Sequence, residues 1–171
     1  VTYGGGFEFQ SFPGGYDEVI SVGATSYSQE KADYSNYGEW TELVAPVGDE
    51  GTGIRSIEPS GGYYFGWGTS FAAPQVAAVV ALMKSLNNSL RVSEIREILH
   101  KTAIDLGEGG KDIYFGYGLL NASAAVKEVL FPSQDKHSNL VWYIVIPIVS
   151  IVIIAAVVIL ILVKTGKLKL K

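Results

Sequence analysis

Residues 141–163, VWYIVIPIVSIVIIAAVVILILV, carry no charge over 23 positions, and no other feature restricts the folding of this chain so sharply. At about 1.5 Å per residue the run makes roughly 35 Å of helix, enough to cross a hydrocarbon core of about 30 Å. Its β-branched residues fall on every face of such a helix, which suits lipid on all sides better than the core of a soluble domain. Trp142 and Tyr143 stand at the upstream edge, where amphipathic rings favour the headgroup zone. Pro147 is tolerable near the helix start, and Ser150 can bond back to the backbone in lipid. Lys164, Lys167, Lys169 and Lys171 follow. By the positive-inside rule, residues 164–171 form a basic cytoplasmic tail and residues 1–140 are extracellular. The expectation is one transmembrane helix over 141–163, in contact with membrane lipid, in a single-pass protein of the cell membrane.

Charge divides the chain in the same way. Residues 1–130 hold eight Lys/Arg against sixteen Asp/Glu, a net of −8, and residues 131–171 hold five Lys against one Asp, a net of +4. An acidic outer part argues against nucleic acid as a partner. Between the halves, FPSQDKHSNL at 131–140 reads as a polar linker that extends at most about 35 Å, so the outer domain works close to the membrane. There is no cysteine, hence neither a disulfide framework nor a thiolate metal site. The first residue is valine and no signal-peptide pattern follows it, so the chain reads as an N-terminally truncated fragment or a processed product.

The outer part alternates strand-like and helix-like segments. EVISVGAT (18–25) is a short β-branched run suited to a buried parallel strand, and TELVAP (41–46) is another, stopped by Pro46. Residues 70–85 predict a helix apolar nearly all round, which implies a central, buried one. VSEIREILHKTA (92–103) predicts a helix with Ser93 as N-cap and Ile95, Ile98 and Leu99 on one face. GYGLLNASAAVKEVL (116–130) ends the domain with a helix capped by Asn121. The glycine-rich stretches at 4–6, 48–53 and 107–110 are loops. Such alternation points to an α/β domain, a parallel sheet flanked by helices.

Within that frame GWGTSFAAPQVAAVVALM (66–83) stands out. A buried helix has no need of Gly-Thr-Ser at its mouth, whereas a helix presenting a nucleophile does. Unpaired N–H groups and the helix dipole at the first turn favour a developing negative charge there. Gly68, lacking a side chain, lets a substrate backbone approach. Ala72 and Ala73 let the helix sink into the core, and Pro74 in the first turn has no N–H bond to lose. On these grounds alone Ser70 is either a presented nucleophile or an ordinary residue at a helix mouth. The aromatic residues before it, Phe65 and Trp67 among them, either line a substrate cleft or pack the preceding strand.

The motif GTSFAAPQVAAVVALM resembles the serine motif of the subtilisin-like serine proteases (subtilases, peptidase family S8), Gly-Thr-Ser-x-Ala-x-Pro followed by a buried helix. The resemblance continues in YDEVISVGATSYSQEKADYSNYGEWTELVAP (16–46), with the family's Ala-x-(Phe/Tyr)-Ser-x-x-Gly loop at Ala32–Gly38, and in FGYGLLNASAAV (115–126), which is similar to its closing Gly-x-Gly pattern. The three motifs stand in the family's order. They imply that residues 1–130 are the C-terminal part of a subtilisin-like catalytic domain. They also imply a serine-type endopeptidase that hydrolyses polypeptide substrates through an acyl-enzyme on Ser70, whose backbone N–H donates to the oxyanion while Thr69 helps shape that site. The family's catalytic Asp, His and oxyanion Asn precede the segments found here. Both histidines follow Ser70: His100 lies on a helix with a structural role, and His137 lies in the linker. The 171 residues alone are therefore expected to be inactive.

Gln75 stands where the family commonly has His, Ala78 where it has Gly, and Val47 where a Gly follows the Ala-Pro turn, so that loop is expected to be re-routed. Asp49, Glu50, Asp105, Glu108 and Asp112 sit in loops that could bind structural calcium, as many subtilases do, or be solvated surface carboxylates; no cofactor is required and no metal ligand is assigned. The protease domain, single anchor and basic tail are similar in architecture to mycosins. A non-catalytic surface module on the subtilase fold, for binding or scaffolding, is the alternative function, and the intact Gly-Thr-Ser-Phe-Ala-Ala-Pro favours the enzyme.

Overall fold

The computed structural model describes residues 8, 10, 12–133, 147, 148, 150, 151, 153 and 154. The chain divides into two units, Val1–Pro132 and Ser133–Lys171. The first is α/β. Strand β1 (Val22–Thr25) pairs in parallel with β2 (Leu43–Pro46), Val22 opposite Leu43 and Thr25 opposite Pro46. Both begin later than their apolar runs. Turn bonds from Tyr16 N–H to Pro13 O and from Val19 N–H to Tyr16 O use the backbone before β1, and a bond from Thr41 N–H to Gly38 O does the same before β2.

The pair is buried on both faces, as near-continuous apolar strands of a parallel sheet require: Ala24, Leu43, Val44 and Ala45 are inaccessible. Buried Ser35 explains the serine of the Ala32–Gly38 loop. Its hydroxyl accepts from Ala24 N–H at 3.0 Å, satisfying a β1 donor, and it fills the space beside Gly23. On the other side of β2, Val44 N–H donates to Gly118 O at 3.0 Å and Leu120 N–H to Val44 O at 2.8 Å, so the Leu119 segment adds a third, bridge-length strand. Leu119 also bridges Ile104. Gly116 and Gly118, both at positive φ, are required here because a Cβ would collide with the Glu42 or Ile104 backbone.

Three helices pack around this sheet: α1 (Ala73–Leu86), α2 (Val92–Thr102) and α3 (Ala122–Leu130). Leu43, Val76, Val79, Met83, Ile95, Leu99 and Ala125 form their common core. Asn121 caps α3 as expected, its Oδ1 accepting Ala124 N–H at 3.0 Å, while residues 116–120 belong to the sheet side. The N-cap of α2 is Arg91 rather than Ser93. The helix starts two residues earlier because the Glu94 carboxylate accepts Arg91 N–H at 2.7 Å and pairs with the guanidinium at 3.3 Å.

A hairpin absent from the sequence reading joins β3 (Ile54–Ile57) and β4 (Tyr63–Gly66), antiparallel, with Ile57 opposite Tyr63. Its signal was the Pro-Ser-Gly-Gly turn at 59–62 between β-branched and aromatic runs. The expectation that α1 is buried all round is corrected. Only Val76, Val79 and Met83 are buried, because β1, β2 and α3 cover one side, and the opposite face is exposed. In the second unit Pro147, Ile148, Ser150, Ile151, Ile153 and Ile154 are helical; the rest of the span expected at 141–163, the linker beyond Ser133 and the basic tail lie outside the described residues.

Candidate active site

The turn that carries Ser70 is built by a reversal at the end of β4. Gly66 is buried with the Phe71 ring in the place a Cβ would take, which folds the chain back on itself. Gly68 follows at φ 120°, a conformation that L side chains rarely adopt. A single 3₁₀ turn, Thr69–Phe71, then leads through buried Ala72 into α1, with Pro74 in its first turn. Ser70 therefore sits in the 3₁₀ turn, three residues before the first residue of the α-helix proper, and it is exposed. Phe71 N–H donates to Gly68 O and Ala72 N–H to Thr69 O, both at 3.0 Å. Among the described residues the Ser70 N–H has no backbone acceptor and its hydroxyl no partner, so both are open to an incoming carbonyl.

Gln75 has a definite task. Its amide donates to Phe71 O at 3.0 Å and to Pro46 O at 2.9 Å, tying the turn that carries Ser70 to the end of β2. Of the aromatic residues before Ser70, Tyr63, Phe65 and Trp67 are exposed, the Arg55 guanidinium of β3 lies 4.0 Å from the Tyr63 ring centroid, and Tyr64 meets Phe71 edge-on at 6.4 Å. The loop after β2 is anchored by Val47 and Gly48, whose N–H groups both donate to Thr25 O, at 2.9 and 3.1 Å.

His100 is committed elsewhere. Its Nε2 lies 3.0 Å from Glu42 Oε2 and its ring stacks on Tyr117 with centroids 3.8 Å apart. Glu42 also pairs with Arg96 at 3.3 Å, and Arg96 donates to Asp17 O at 2.6 Å, so this cluster fastens α2 to β2. An open groove of about 760 Å³ lies over it, lined by Asp17, Arg96, Glu97, His100 and Tyr117 among others, and none of Gly68, Thr69 or Ser70 borders it. His137 lies outside the described residues.

Two of the loop carboxylates, Asp105 and Asp112, brace their own backbone. Asp105 accepts Gly110 N–H at 2.9 Å, and Asp112 accepts the N–H groups of Tyr114 and Phe115 at 2.7 and 2.8 Å. Among the described residues no three His, Cys, Asp or Glu side chains come together as a metal site.

The subtilase family model matches residues 5–118. The chain belongs to the subtilase family. Alkaline elastase YaB of Bacillus sp. (strain YaB) is 41% identical to this subtilase over 116 residues, which are 68% of this chain and 29% of the relative. Subtilisin DY of Bacillus licheniformis is 38% identical over 116 residues, 68% of this chain and 40% of the relative. Among solved structures, a lanthipeptide protease superposes with a TM-score of 0.62 at 32% identity, covering 68% of this chain and 43% of that one. A protease from Pseudoalteromonas arctica PAMC 21717 gives 0.62 at 32% identity, covering 69% and 38%. The chain thus spans less than half the length of these proteins.

Proposed function

We propose that this subtilase segment supplies the nucleophile of a serine endopeptidase that cleaves polypeptides. The observation that carries the reading is Ser70 itself, exposed in the 3₁₀ turn with its N–H open, at the mouth of the helix that the family's motif precedes. In the complete enzyme a histidine from outside these 171 residues takes the Ser70 proton as Oγ attacks the scissile carbonyl. The Ser70 N–H, with Thr69 beside it, holds the oxyanion, and Gly68 leaves room for the substrate backbone. That histidine then protonates the leaving amine, and water releases the acyl group. An aspartate, also from outside, orients the base. In subtilisin, removing the serine or the histidine costs on the order of 10⁶ in turnover, so the 171 residues alone are expected to be inactive.

The uncharged run 141–163 anchors this domain in the cell membrane, with residues 1–140 outside and the lysines inside. The test is labelling of the full-length protein by a fluorophosphonate. Labelling at Ser70 that Ser70→Ala abolishes supports the enzyme; a folded, unlabelled full-length protein favours the non-catalytic binding module. Alkaline extraction of membranes that releases the intact protein would sink the anchor.

A further inference from the structure

Pro74 leaves a gap in the backbone bonding of the turn that carries Ser70. A proline has no N–H, so Pro74 can donate neither to Ser70 O, four residues back, nor to Phe71 O, three back. The next donor, Gln75 N–H, is spent on Ala72 O at 3.0 Å. Phe71 O therefore stands at the junction of the 3₁₀ turn and α1 with no backbone donor among the described residues. The Gln75 side chain fills that place, its Nε2 donating to Phe71 O at 3.0 Å.

An amide nitrogen carries two N–H groups. The other donates to Pro46 O at 2.9 Å, 29 residues earlier at the end of β2. That strand end is itself fixed: Pro46 lies opposite Thr25 in the parallel register, and the N–H groups of Val47 and Gly48 both donate to Thr25 O. One nitrogen thus joins the sheet to the peptide unit between Phe71 and Ala72. The N–H of that same unit, on Ala72, donates to Thr69 O at 3.0 Å. The preceding unit, between Ser70 and Phe71, is held by Phe71 N–H on Gly68 O. Since the Ser70 hydroxyl has no partner among the described residues, its place rests on the backbone that these bonds hold.

We infer that Gln75 is a positioning residue for Ser70: its amide supplies the donor that Pro74 removes and sets the turn at a fixed place on the end of β2. The consequence for turnover rests on reading Ser70 as the nucleophile; the tie itself does not.

The experiment pairs amide hydrogen exchange by NMR on the full chain with fluorophosphonate labelling of the full-length protein. Gln75→Met keeps the side-chain length and loses both donors, Gln75→His keeps one N–H on its neutral ring, and Asn121→Ala removes a cap away from the turn. The Ala72 amide is the reporter, because it shares a peptide unit with Phe71 O, and α2 amides are the reference. Gln75→Met is expected to speed Ala72 exchange by about tenfold, the order of one hydrogen bond's net contribution. Gln75→His speeds it less, and Asn121→Ala leaves it unchanged. Free-peptide exchange of Ala72 in the wild type overturns the tie without any variant, as does an unchanged rate in Gln75→Met. Labelling of Ser70 slows by about the same factor in Gln75→Met, with kcat falling and KM held, and recovers in part in Gln75→His. Asn121→Ala, destabilised but with its turn intact, labels at the wild-type rate. Equal slowing in Asn121→Ala, or undiminished labelling in Gln75→Met despite faster exchange, overturns the positioning role. Faster Ala72 exchange with no Ser70 labelling in any of these proteins upholds the tie and sinks the protease reading instead.

Discussion

Helices α1 and α2 press on the same core and finish their outer faces in opposite ways. On α2, Ile95 and Leu99 go inward, and the outer residues are charged and engaged: Arg96 with Asp17 O and Glu42, Lys101 with Glu128 at 3.1 Å, Glu94 with Arg91. On α1, Val76, Val79 and Met83 go inward while Ala73, Ala77, Ala78, Ala81, Leu82 and Leu86 face out, Leu82 with 54% and Leu86 with 46% of its surface exposed. Its one charged residue, Lys84, curls onto Asn88 O and Leu90 O. A contiguous exposed apolar face is uncommon on a soluble monomer. The contrast teaches that periodicity reports what a helix asks to have buried. What does the burying is a separate fact, which for α1 the described residues supply on one side.

The largest effects come from the shared core. Met83→Ala on α1 and Leu99→Ala on α2 should each cost about 2–5 kcal/mol, since both side chains are sealed and leave a cavity. Urea unfolding of the full chain measures this, and a Met83 cost far below the Leu99 cost would break the claim of one core. Next is Glu42→Gln, which leaves Arg96 and His100 facing a neutral amide and should cost about 1–3 kcal/mol. A neutral result would show that packing alone holds α2 to β2. Asn121→Ala, removing the α3 cap, should cost about 1 kcal/mol in the same assay. Leu82→Lys on the open face of α1 should shift stability by less than about 0.5 kcal/mol and reduce the binding of an apolar dye. A large loss there would mean that the face is covered in solution, and the contrast between the helices would fall. The smallest effect is at the start of α2. The Arg91 side chain and backbone N–H hold the Glu94 carboxyl below its ordinary value. Because the folded value is depressed, this capping contribution is complete above the usual carboxylate range and fades as pH falls through the folded value. A carboxyl titration by NMR that follows the ordinary curve would contradict it.

Much of the arrangement was legible in local chemistry. β1 and β2 showed as β-branched runs, Asn121 as a cap, and the Gly-Thr-Ser as the mouth of a helix. The hairpin β3–β4 went unread, although Pro59-Ser60-Gly61-Gly62 is turn chemistry, because the aromatic run Tyr63–Phe65 shows no polar alternation to mark it as the partner of Ile54–Ile57. The start of α2 was misplaced because a serine competes with an acidic side chain three residues downstream of Arg91, and the carboxylate won. Gln75 looked like a tolerated replacement; only the fold reveals the two carbonyls it joins, 29 residues apart in one case and four in the other.

The double pairing of Leu119 has a consequence in time. Its bridges to Val44 and Ile104 mean that β2 obtains its second neighbour from a segment 75 positions later (119 − 44). At roughly 5–20 residues per second of synthesis, about 4–15 s separate the appearance of the two partners. Through that interval one edge of β2 is an unsatisfied row of amides beside a half-covered α1, the kind of surface that chaperones retain and proteases find. A released chain ending at Phe115 should accordingly be far more protease-sensitive than one ending at Phe131, and the Gly-Tyr-Gly-Leu stretch is then less a closing motif than the event that ends the nascent domain's most vulnerable period.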